Sequence, residues 1–136
     1  MNYSSRVPAE HILNDPTHIR NVAEHYILQK AQAKNFEQSL EILEAGCGRE
    51  WTLELGETDY KLTGVDLDQH ALAARTDDVR DLDQAIVGDL CSVDLADDSY
   101  DVIFNAYVLE HIEDADRVLE NFTQWLKPNG LLILLF

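Results

Sequence analysis

The sequence predicts an α/β protein built on one open, doubly wound, mostly parallel sheet with helices on both faces. Three observations carry this expectation. Short runs that are apolar at consecutive positions recur along the chain, as parallel strands covered on both sides require. Stretches of helical periodicity alternate with those runs, the pattern of repeated βα units. Several of the runs end in glycine, aspartate or asparagine, at the edge where such sheets hold ligands.

The elements follow in order. Residues 1–14 show no clear period and read as an extended arm. Asp15-Pro16 reads as a helix N-cap followed by a first-turn proline. Ile19, Val22, Ala23, Tyr26 and Ile27 then recur at helical spacing. This predicts a helix over residues 16 to about 34 that covers the sheet or closes over a ligand. The strand candidates are "EILEA" (41–45), "KLTGVD" (61–66), "AIVGD" (85–89), "YDVIFNA" (100–106) and "LLILLF" (131–136). Helical patterns lie between them at 51–55, 69–75 and 115–126. The last carries Val118, Leu119, Phe122 and Leu126 at helical spacing, and "KPNG" stops it. The 136 residues suit one domain, an arm and cap helix (1–38) ahead of a sheet core (39–136).

Hydrophobic residues make up 46% of the chain and charged residues 26%, ordinary for a globular protein. Acidic residues outnumber basic ones 26 to 10, a formal charge of -16. Such a surface repels phosphate backbones and anionic lipid, which argues against nucleic-acid and membrane partners. Cys47 and Cys91 form neither a CxxC pair nor a disulfide framework, so a reduced, cytoplasmic setting is expected. The first ten residues are polar, without the apolar core of a signal peptide. No apolar run reaches membrane-spanning length.

The ends of the strand candidates carry the chemistry. The first delivers Gly46-Cys47-Gly48, and the second Asp66, Leu67 and Asp68. The third delivers Asp89 and Leu90, and the fourth Asn105, Ala106 and Tyr107 with Glu110 and His111 beyond. Glycine lets the backbone approach a ligand that a Cβ would block. Asp66 lies 20 residues past Gly46, about the offset at which an acid reaches ribose hydroxyls. Asp89 is placed to accept from an exocyclic amine, and Leu67 to pack on a base. Taken singly, a G-x-G is a strand-to-helix turn and a terminal aspartate a solvated cap. In this order and spacing they define a nucleoside site.

At these residues the chain resembles the class I S-adenosylmethionine-dependent methyltransferases. "ILEAGCG" looks like the first motif of that family, "LTGVDLD" like the second and "IVGDL" like the third. "SYDVIFNAYVLEHIEDADRVLENFTQWLKPNGLLIL" looks like its fourth-to-fifth strand region, and the "VLEHI…LKPNG" style points to the small-molecule type. The resemblance covers residues 40–136 and implies a Rossmann-like sheet. It implies that Glu44, Gly46 and Gly48 surround the methionine end of the cofactor. Asp66 would bind the ribose, Leu67, Asp89 and Leu90 the adenine, and Asn105 with Ala106 the region of the amino group and sulfonium. Two features depart from the family pattern. Glu50 stands where glycine is usual, close to the ligand carboxylate unless Arg49 pairs with it. The chain also stops after its fifth strand, where the family continues with a helix and two more strands. Truncation is therefore expected, with an apolar last strand exposed for self-association.

Methyl transfer asks little of side chains, since S-adenosylmethionine carries its own leaving group and leaves as S-adenosylhomocysteine. His111 is the candidate general base, with capping or packing at a helix start the bland reading of it. Some family members carry a Glu-x-x-Glu-His metal site here. Tyr107 occupies its first position, so no metal is expected. His11, His18 and His25 read as surface residues, Cys47 as a small packed residue, and Trp51 and Trp125 as core. Two other functions compete with methyl transfer to a small molecule: a non-catalytic cofactor-binding or interaction domain, and an NAD-dependent oxidoreductase. The second is disfavoured by Trp51, where the nicotinamide fingerprint wants glycine.

Overall fold

The computed structural model describes residues 16–33, 39–48, 53–106 and 108–135. A long helix α1 (Pro16–Ala33) precedes β1 (Leu40–Ala45) and β2 (Tyr60–Asp66). Next come α2 (Gln69–Ala74), a π-helical turn (Arg75–Val79), β3 (Gln84–Val87) and β4 (Tyr100–Ala106). A 3₁₀ turn (Leu109–His111), α3 (Ala115–Trp125) and β5 (Leu126–Leu135) complete the described chain. All the strand pairs are parallel, in the order β3-β2-β1-β4-β5. The chain runs outward from β1 to β3 and then crosses back to lay β4 on the other side of β1. This reversal opens a crevice at the carboxyl ends of β1 and β4, the general ligand position in open α/β sheets.

Burial on both faces explains the consecutive apolar residues. Ile42, Leu62 and Val102 face α1, where Ile27, Leu53 and Leu55 complete one core cluster. Leu43, Val65 and Ile103, an odd number of positions away on the same strands, face α3 and pack with Val118, Phe122 and Trp125. Alternate residues thus serve opposite layers, as the two-residue strand period dictates. Each fully buried side chain of this kind contributes roughly 1.5–3 kcal/mol. Trp125 is core, as expected, its ring 5.9 Å from that of Phe122.

Three boundaries differ from expectation. Of the short helix expected at 51–55, residues Leu53–Leu55 are described and are not helical. Leu53 and Leu55 are buried while Glu54 between them is exposed, the alternation of an extended segment. The Glu54 N–H donates to Glu24 Oε1 of α1 at 2.9 Å, which fixes that segment on the helix. β3 stops at Val87, because Asp89 turns the chain. Its Oδ1 accepts from Cys91 N at 2.8 Å and its carbonyl from Ser92 N and Val93 N, an Asx-type turn. β5 begins earlier than expected, at Leu126 directly after α3. "KPNG" forms a bulge within it: Leu126 stands opposite Tyr100 and Leu131 opposite Val102. Asn129, at φ 64, supplies the left-handed residue of that bulge. Expectations resting on residues 1–15, Arg49, Glu50, Trp51, Tyr107 and Phe136 lie outside the described residues.

Candidate active site

The glycine loop after β1 is held from several sides. Gly46 N and Cys47 N both donate to the Val65 carbonyl, at 2.7 and 3.1 Å. Gly48 N donates to Asp66 Oδ2 at 2.8 Å. Both glycines take positive φ, 70° at Gly46 and 60° at Gly48, a region that side chains resist. A Cβ on Gly46 would stand 2.6 Å from Val108 Cγ2 across the crevice. One on Gly48 would meet nothing within 4 Å. Close approach of β4's exit therefore requires glycine at 46, and backbone conformation alone favours it at 48.

Asp66, at the end of β2, accepts from Gly48 N through one oxygen and from Asp68 N through the other, at 2.8 Å each. Asp68 in turn caps α2, its Oδ1 accepting from His70 N and Ala71 N. Beside Asp66 opens a cleft of about 130 Å³, lined by Gly46, Asp66, Leu67, Gly88, Asp89, Leu90, Val108 and Ile112. That volume is well below the roughly 300–1,000 Å³ of pockets enclosing a whole small molecule, so the cleft suits one part of a larger ligand. Leu67 is 70% exposed at its rim, an apolar surface left open beside two carboxylates.

Five of the nine predicted cofactor residues line this cleft: Gly46, Asp66, Leu67, Asp89 and Leu90. Gly48 joins them through its hydrogen bond to Asp66. Ala106 closes β4, half-buried. Asn105 is fully buried. Its Nδ2 donates to the Ala45 carbonyl at 2.9 Å, and its Oδ1 has no hydrogen-bond partner. His111 ends the 3₁₀ turn with its side chain exposed. Val108 and Ile112 on either side of it line the cleft, and His111 does not.

Glu44 lies away from the cleft lining. It is buried on β1 and forms a two-pronged ion pair with Arg75, Nη1 to Oε2 at 2.7 Å and Nη2 to Oε1 at 3.1 Å. Burial, which the guanidinium offsets only in part, pushes the Glu44 carboxyl up to about 6. Burial alone would lower Arg75, but its bonds to Glu44 and Asp81 hold it above the usual guanidinium range. Cys47 is buried. Its thiol is pushed up to about 12 by burial and by the nearby Glu44 carboxylate, so it packs and stays protonated.

Sequence reasoning missed Arg75, Gly88, Val108 and Ile112. A signal for Arg75 existed. An acid inside a strand buried on both faces requires a cation, and Arg75 follows the buried Ala71 and Leu72 of α2 at helical spacing. Val108 and Ile112 open and close the "VLEHI" stretch, but nothing in it assigns them to the cleft, because their position depends on where β4 ends.

The doubly wound parallel sheet, with a glycine loop and acids at successive strand ends, is the α/β architecture of the class I S-adenosylmethionine-dependent methyltransferases. The chain belongs to the family described as "Methyltransferase domain", whose pattern matches residues 43–134. It is similar to the ubiquinone biosynthesis O-methyltransferase of Rickettsia typhi, 28% identical over 131 residues, 90% of this chain and 50% of that protein. The enzyme of the same name from Chelativorans is 32% identical over 124 residues, 84% of this chain and 46% of that one. Among solved structures, the CMeT domain of the citrinin polyketide synthase shares the fold, with a TM-score of 0.71 at 20% identity over 85% of this chain and 34% of that one. The chain thus spans about half the length of the curated relatives it matches. No helix of the described residues is long and apolar enough to cross a membrane.

Proposed function

We propose that this chain carries the cofactor-binding core of a cytoplasmic S-adenosylmethionine-dependent methyltransferase acting on a small-molecule acceptor. The observation that carries the reading is the convergence of Gly46, Asp66, Leu67, Asp89 and Leu90 on one cleft at the β1/β4 crevice. The residues present fit the cofactor. Asp66 would accept ribose hydroxyls on lone pairs its two backbone bonds leave free. Leu67, Leu90 and Asp89 would hold the adenine, the leucines by apolar contact and Asp89 by accepting from the amine. The fully buried Asn105 Oδ1, without a partner, calls for a donor such as an ammonium. Gly46, Gly48 and Ala106 would shape the methionine end, with Glu44 behind them, held by Arg75.

Bound there, the cofactor supplies an electrophilic methyl on a sulfonium leaving group. The chain's own contribution is orientation and exclusion of water. The similar ubiquinone biosynthesis enzymes are named O-methyltransferases, which supports a hydroxyl acceptor. His111, one residue from the cleft-lining Ile112, is the group to take the acceptor proton. Two free thiols among the described residues support a reducing compartment.

Calorimetric titration with S-adenosylmethionine and S-adenosylhomocysteine, with NAD as control, tests this. Micromolar binding of either, abolished by Asp66→Ala, is expected. Binding of NAD instead, or none by folded protein, refutes the reading.

A further inference from the structure

We propose that Arg75 is a positioning residue for the cofactor loop, fixing the backbone of Glu44–Gly48 from beneath without touching the ligand. The inference rests on the cofactor reading above. Arg75 is completely buried, and all five of its N–H groups are used. Nη1 donates to Glu44 Oε2 at 2.7 Å and to the Cys47 carbonyl at 2.9 Å. Nη2 donates to Glu44 Oε1 at 3.1 Å and Asp81 Oδ2 at 2.7 Å, and Nε to Asp81 Oδ1 at 2.8 Å. One side chain therefore ties together the end of β1, the glycine loop and the approach to β3.

The π turn makes this possible. Arg80 N donates to the Arg75 carbonyl at 2.7 Å, and Arg80 adopts φ 60°. The chain reverses there and returns Asp81 to the guanidinium. In a continuing α-helix, Asp81 would lie about 9 Å further along the axis, out of reach. Such single π turns recur at functional sites.

The loop is gripped from two sides. Asp66 holds its N–H face at Gly48, and Arg75 holds its carbonyl face at Cys47. Gly46, between these grips and Ala45, lines the cleft. Lysine could keep the charge at position 75 but not the planar fork that reaches two carboxylates and a carbonyl at once.

The test is Arg75→Lys, read in three ways on the full chain. Amide hydrogen exchange of the ligand-free protein should accelerate at Cys47 and Gly48 by about tenfold, the worth of one charge-assisted hydrogen bond. Exchange at Leu43 and Ile103 in the sheet core should stay at the wild-type rate. Affinity for S-adenosylhomocysteine should fall by about tenfold or more for the same reason. Uniform acceleration of loop and core, or unchanged loop exchange, overturns the proposal, as does unchanged affinity. If Arg75→Lys does not fold, Asp81→Asn loosens the same guanidinium and should give the same loop-confined change, smaller in size; its absence there also overturns the proposal. Wild-type protein that binds no S-adenosylhomocysteine, with loop-confined acceleration in the variant, overturns the cofactor reading and upholds Arg75 as the residue fixing the loop.

Discussion

Alanine at Gly46 probes the crevice without reference to any ligand. The new Cβ would stand 2.6 Å from Val108 Cγ2, 3.0 Å from Cγ1 and 3.2 Å from Cβ. Rotation of valine about χ1 cannot clear all three atoms, so the backbone after β4 must move. Two costs add. A side chain in the left-handed region costs about 1–2 kcal/mol, and overpacking of this kind about 1–3 kcal/mol. The expected loss is therefore about 2–5 kcal/mol, measured as a shift in urea midpoint at constant m-value. Val108→Ala removes both γ carbons. The double variant should recover the steric part and keep about 1–2 kcal/mol of conformational strain. Gly48→Ala serves as control: its φ is 60° but nothing lies within 4 Å, so only about 1–2 kcal/mol is lost. Equal losses at Gly46 and Gly48, or no recovery with Val108→Ala, would refute the packing described for the crevice.

Other expectations follow from the same geometry. The Glu44 carboxyl is raised from 4.5 to about 6, so its protonation stabilises the fold: the contribution is full below pH 4.5 and is lost as pH rises through 6. Glu44→Gln should flatten the pH dependence of stability across that window, seen by comparing melts of the two proteins at pH 4.5 and 7. Asp66→Ala should cost about 1–3 kcal/mol in urea unfolding, almost all from the unpaired Gly48 N–H, since the Asp68 N–H is exposed to water. Phe122→Ala, with no exposed surface in the native side chain, should lose about 3–5 kcal/mol in the same assay. Leu67→Ser should change stability by less than about 0.5 kcal/mol because Leu67 is 70% exposed. It should still weaken S-adenosylhomocysteine binding by about tenfold, the worth of burying one leucine.

Legibility in the sequence followed periodicity. Strands β1, β2 and β4 and helices α1 and α3 announce themselves, because burial on two faces or one leaves an unambiguous apolar pattern. Asp66, Asp89 and Gly46 were legible because their chemistry sits at strand ends, which the pattern locates. The segment around Leu53 was misread because Trp51 and Leu55, four apart, fit one face of a helix turn, whereas Leu53 and Leu55, two apart, fit an extended strip, and only a partner surface decides between them. The bulge in β5 was unreadable for a related reason: "KPNG" terminates a helix in local chemistry, and only its register against Tyr100 and Val102 makes it part of a strand. Arg75 was passed over because arginine at the end of a helix reads by default as a solvated charge, although the acid buried in β1 called for a cation.

The two grips on the glycine loop share an origin. Asp66 ends β2, and Arg75 follows α2, so both belong to the second βα unit rather than to the loop's own strand. Loop geometry is thereby coupled to the packing of α2 on β2. Glu44 and Arg75 form a buried pair whose disruption on one side typically costs 3–5 kcal/mol, more than any single backbone bond in the loop supplies. The loop should therefore tolerate substitution at Cys47, whose contribution is a small buried thiol and a carbonyl any residue provides, better than it tolerates changes at Arg75 and Asp81. Cys47→Ala retains the carbonyl and both glycines. Its effect on S-adenosylhomocysteine affinity should be less than about threefold, within the 1 kcal/mol of a minor packing change. A loss as large as that of Arg75→Lys would place the control of the loop in its own sequence and refute this coupling.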